Sequence, residues 1–93
     1  MFIRIETSKR LSYVMMDLED ITGIDYIDLW GGLPSPPYDR AYGQFWFTEF
    51  GWAQIGERIQ NLLIKYDIDH TVRVVDILEV CYRDEFQVAT PRR

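Results

Sequence analysis

Apolar and polar residues alternate from Phe2 to Thr7, with Ile3 and Ile5 on one side and Phe2, Arg4 and Glu6 on the other. A period of two predicts a half-buried strand. From Leu11 the period changes: Leu11, Val14, Met15, Leu18 and Ile21 recur three and four apart, while Lys9, Arg10, Asp17, Glu19 and Asp20 fall off that stripe. This predicts an amphipathic helix, capped by Thr7 or Ser8 and closed by Gly23. Residues 25–30 alternate again, Ile27 and Leu29 against Tyr26, Asp28 and Trp30, and read as a second strand. Residues 31–43 hold three prolines and three glycines, which suit neither a helix nor a central strand, and read as one long loop.

A third strand is expected over 44–48. Thr48 then caps a second helix whose buried stripe is Trp52, Ile55, Ile59, Leu62, Leu63 and Tyr66. The β-branched run at Val72, Val74 and Val75 places a fourth strand over 70–77. Residues 79–88 alternate enough for a fifth, edge strand or a hook along the sheet, and residues 90–93 read as a frayed tail. The order strand, helix, strand, strand, helix, strand is that of an α+β, ferredoxin-like split βαβ fold, with two helices on one face of an antiparallel sheet.

Ninety-three residues, 47% of them hydrophobic and 14 aromatic (five Phe, six Tyr, three Trp), suit one packed domain over 1–93. Ten Lys and Arg against 15 Asp and Glu give a net charge of −5, which repels phosphate backbones and anionic membranes. Direct nucleic-acid and membrane partners are therefore not expected. Cys81 is the only cysteine, so no internal disulfide forms, and the N-terminus carries no leader pattern. The chain reads as a mature cytoplasmic protein, host cytoplasm included if a phage encodes it.

Candidate chemistry is thin. The single histidine, His70, lies in a polar turn and reads as a solvated or capping side chain, and Cys81 has no base near it in sequence. The carboxylates lack calcium-loop or zinc-site spacing, and no glycine-rich phosphate loop is present. No cofactor, metal or catalytic residue is expected.

Three features point to a protein partner. Between Leu11 and Asp39 the chain carries six acids (Asp17, Glu19, Asp20, Asp25, Asp28, Asp39) and no base, a one-sign patch able to meet a basic groove. Strand alternation puts Phe2, Tyr26, Trp30, Trp46 and Val75 on the sheet face opposite the helices, an aromatic surface unless residues 78–88 fold over it. The proline-rich loop offers Tyr38, Arg40 and Tyr42 on stiff backbone. Tyr26, Trp30, Tyr38, Arg40, Tyr42, Trp46, Asp17, Asp20 and Asp28 are thus the candidate partner-binding residues.

The reading is of a small acidic non-catalytic interaction protein that binds and inhibits a protein partner, such as a nucleic-acid-binding protein with a basic groove. By size and charge it resembles the inhibitors that phages and mobile elements encode against host nucleases and defence complexes, anti-CRISPR proteins among them. A homodimer is the alternative assembly. The alternative function is a small-ligand sensor or minor enzyme, with a pocket between helices and sheet or at a dimer interface, lined by Trp52, Tyr66, Cys81 and His70.

Overall fold

The computed structural model describes residues 1–33 and 39–93. Among these, the strands form one antiparallel sheet in the order β3-β1-β2-β5-β4. They are β1 (Phe2–Thr7), β2 (Tyr42–Thr48), β3 (His70–Val75), β4 (Tyr82–Arg83) and β5 (Gln87–Pro91). One sheet face carries α1 (Leu11–Thr22), the short α2 (Tyr26–Leu29) and a long helix over 49–65. The long helix joins α3 (Glu49–Gly51), a π-helical turn (Trp52–Gly56) and α4 (Glu57–Lys65). The fold is α+β.

Its core lies between that face and the helices: Ile5 and Phe47 from the sheet, Val14, Met15 and Leu18 from α1, Leu29 from α2, and Ile55, Ile59 and Leu63 from the long helix. The helical spacing of these residues explains the match with the sequence. Trp52, Leu62 and Tyr66 pack against the same cluster, half-buried. Thr48 caps the long helix as expected, its Oγ1 accepting from Gly51 N at 3.0 Å, and Gly23 closes α1 at φ 71°. Neither Thr7 nor Ser8 caps α1. Arg10 holds the cap position without a side-chain bond, and the Thr7 hydroxyl donates to the Lys9 carbonyl instead.

The predicted second strand is a helix. Asp25 Oδ1 accepts from Ile27 N at 3.0 Å, an N-cap. Tyr26, Leu29 and Trp30, at helical spacing, then turn toward the core while Ile27 points to solvent at 72% exposure. The end of α2 is held from α4: Arg58 Nη2 donates to Leu29 O at 2.9 Å. Gly31 follows at φ 66°, a backbone that favours glycine, and a Cβ there would stand 2.2 Å from Arg58 Nη2 and displace that guanidinium. Six residues of alternation were also six residues of one helical turn with a cap, a distinction that short segments blur.

The ferredoxin-like order is corrected accordingly. Because β1 pairs antiparallel with both β2 and β3, those two run parallel on either side of it, and residues 42–75 form a split βαβ unit. The other unit lacks its second strand, and β5 takes the place beside β2. The C-terminal strand is therefore internal, β4 is the edge, and the expected frayed tail is paired as far as Pro91, opposite Tyr42.

This order forces residues 76–81 across the sheet. They leave β3 at one edge and enter β4 at the other, four inter-strand steps or about 19 Å away. Seven residue steps reach at most about 25 Å, so the segment is nearly extended. Its burial alternates: Leu78 and Val80 are half-buried, while Ile77, Glu79 and Cys81 are exposed. Neither Leu78 nor Val80 belongs to the helix-side core, whereas Trp46 and Val88, paired across β2 and β5 on the helix-free face, are buried. With the helices on the other side, the helix-free face is the one left for this strap to cross.

Candidate functional site

Among the described residues, the sequence-derived site residues separate into two places. Asp17, Asp20 and Asp28 are exposed on the outer sides of α1 and α2. Asp17 is paired with Lys9, and neighbouring Glu19 accepts from Tyr26 N at 2.6 Å, fastening α2 to α1. Asp20 and Asp28 carry no side-chain partner among the described residues. Interleaved with these acids stand Tyr13, Met16, Ile21, Ile24 and Ile27, all exposed. Sequence reasoning had placed Ile21 on the buried stripe, which instead ends at Leu18, and had set Ile27 against the helices. The surface is thus acidic and apolar together. The outward spacing of Tyr13, Met16 and Asp20 along α1 carried the signal.

Tyr26 and Trp30 lie on the inner side of α2, their rings edge to face at 6.0 Å, rather than on the open sheet face. With Leu33 and the start of α1 they wall a cleft of about 890 Å³ between helices and sheet. The cleft opens because β1 and β2 pair only at Phe2–Thr48 and Ile3–Phe47 and then part, while β1 stays paired with β3 over six residues. Arg4 bridges the fork, Nη1 donating to Phe45 O at 2.9 Å where a ladder bond would otherwise run. Arg40 and Tyr42 line the same cleft; Tyr38 lies outside the described residues. None of Trp52, Tyr66, Cys81 and His70, the residues considered for a pocket, lines it.

Trp46 also borders the cleft but is buried. It is 3% exposed, with the Arg73 guanidinium 5.7 Å from its ring centroid. The expected exposed aromatic sheet face is not formed, because Tyr26 and Trp30 belong to α2 and its cap and Trp46 is buried. The arginines of the cleft were missed in the sequence: Arg92 joins Arg4, Arg10 and Arg40 there only through the pairing of β5 with β2, and nothing local in sequence signals that.

His70 is tied into the fold, Nδ1 lying 2.8 Å from Ile68 O and Nε2 3.4 Å from Gln60 Nε2. The Cys81 thiol is free and exposed on the strap. Among the described residues no group of three or more His, Cys, Asp or Glu stands together as a metal site, and no helix is long and apolar enough to cross a membrane.

The Tyr42 and Tyr82 rings lie 5.3 Å apart, tilted by 47°, and both phenols ionise above their ordinary range. For Tyr42 the chief cause is desolvation, with the Asp39 carboxylate adding to it; for Tyr82 it is the 2.8 Å bond its hydroxyl donates to Asp84. Both should titrate above pH about 10 in phenolate absorbance, and Tyr82→Phe should remove one late step. Since the folded pKa exceeds the unfolded one, the stability they contribute is whole below pH about 10 and is lost as pH rises through the folded value.

Comparison with models of known families, with curated proteins and with solved structures gave no match to this chain.

Proposed function

We propose that the protein is a non-catalytic interaction module that docks on a basic protein surface through the outer face of α1 and α2. The observation that carries this reading is the exposed set Tyr13, Met16, Ile21, Ile24 and Ile27 set among Asp17, Asp20, Asp25 and Asp28. Apolar side chains gathered on a folded surface mark a contact site, and here the charge around them names the complement. Acid at the rim steers a cationic partner and sets register; the isoleucines and Tyr13 supply desolvated contact area. A groove built for a nucleic-acid backbone has the right sign, and occupying it would inhibit its owner. Inhibition of a host nuclease or defence complex by a phage or mobile-element protein is the finer form of this proposal.

The test is capture of a partner from host lysate by the parent chain, repeated with Asp20→Lys/Asp28→Lys and with Ile24→Glu. Each variant should melt like the parent, since the sites are exposed, and should weaken the complex by about 1 to 4 kcal/mol. Duplex DNA should compete with the protein for its partner, and added salt should slow association. Equal capture by parent and both variants would place the contact elsewhere.

A further inference from the structure

The cleft between α1, α2 and the parted ends of β1 and β2 has a different character from the acidic surface. Four of the protein's ten Lys and Arg residues line it: Arg4, Arg10, Arg40 and Arg92. Arg4 is engaged by Glu6 and the Phe45 carbonyl. Arg10, Arg40 and Arg92 have no carboxylate within ion-pair distance among the described residues. The one acid at the rim, Asp39, has Oδ1 accepting from Ala41 N at 2.8 Å. Arg92 N donates to Ala41 O at 2.6 Å, so the backbones that carry Arg40 and Arg92 are fixed side by side. In a chain of net charge −5, unpaired guanidinium groups gathered at one concavity repel one another and attract an anion. Inside, the walls are Tyr26, Trp30 and Leu33 and the floor is Phe45, flat and apolar surfaces suited to a ring. The volume, about 890 Å³, falls in the range of small-molecule sites.

We infer that this cleft binds a small ring-bearing anion: the ring lies against Trp30 and Tyr26, and its carboxylate or phosphate is held by Arg40 and Arg92, with Arg10 closing the approach. Guanidinium offers paired donors to either anion, and both anion and ring are required because neither half of the cleft is selective alone. Ile27 borders both sites, but the arginines lie off the docking surface, so either reading can fail without the other.

The experiment is amide and side-chain NMR titration of the full chain with two anions and their uncharged counterparts: indole-3-acetate against indole-3-acetamide, and adenosine monophosphate against adenosine. At least one anion should give saturable shifts at the Trp30 indole N–H and leave that of Trp52, outside the cleft, unmoved. Its uncharged counterpart should bind at least about tenfold more weakly, and Arg40→Ala/Arg92→Ala should lose a similar factor while melting like the parent. Which anion binds distinguishes a carboxylate from a phosphate ligand. Should the double variant fold poorly, Arg10→Gln is read in its place, with a smaller loss of the same sign. The inference is overturned if neither anion saturates below about 10 mM, if charged and uncharged ligands bind alike, or if the arginine variants bind as the parent does.

Discussion

Trp46→Ala should cost about 3 to 5 kcal/mol, a large part of the 5 to 15 kcal/mol typical of a whole domain. The indole is 3% exposed on the helix-free side of the sheet, beside Val88 and with the Arg73 guanidinium 5.7 Å from its ring centroid. Its removal leaves a buried void. Melting should fall by about 12 °C or more. Trp46→Phe is the informative partner variant. Among the described residues the buried indole Nε1 has no hydrogen-bond acceptor, a defect that costs about 1 to 3 kcal/mol; phenylalanine removes it while giving up some apolar area. The two effects oppose, and stability should stay within about 1 kcal/mol of the parent. Urea denaturation checks both, and a loss below about 0.5 kcal/mol for Trp46→Ala would mean that the ring is at the surface.

Gly51→Ala should be comparably damaging, against the usual trend. In an exposed helix interior alanine is better than glycine by about 1 kcal/mol, and Gly51 has ordinary helical dihedrals, φ −62° and ψ −37°. Space decides here. A Cβ at this position would lie 1.8 Å from Phe86 O and 2.6 Å from its carbonyl carbon, which are backbone atoms. They cannot yield, because Thr48 N donates to that same oxygen at 3.0 Å and the Thr48 hydroxyl donates to Glu85 O at 2.8 Å. The expected loss is about 3 kcal/mol or more, beyond the common range for overpacking. Gly56→Ala, whose Cβ would press on the Trp52 ring instead, should cost less because a side chain can swing. Thermal melts of both variants test the ordering.

Local pattern carried the sequence reading where an element was long. α1 and the long helix declare themselves through Val14, Met15 and Leu18 and through Ile55, Ile59 and Leu63, each set repeated over two or more turns. α2 did not, because four residues cannot distinguish periods of 2 and 3.6; its cap Asp25 and its stop at Gly31 were the better guides. The surface proposed for docking was legible in its charge but only half legible in its apolar part, since the exposure of Ile21 and Ile27 depends on tertiary packing. Neither the cleft nor the burial of Trp46 was legible. The cleft arises where β1 and β2 part, and the burial of Trp46 from β5 pairing with β2, a contact between segments some 40 residues apart.

Chain order and strand order disagree at that same contact. β2 emerges early in synthesis and gains its second neighbour, β5, only after β3 and the strap have been made. Until then β2 presents an open edge and the Trp46 indole lies bare, the two features that invite pairing between unfinished chains. A nascent copy is therefore most prone to aggregate in the interval between completing the long helix and seating the final hairpin, and conditions that slow translation there should lower the soluble yield.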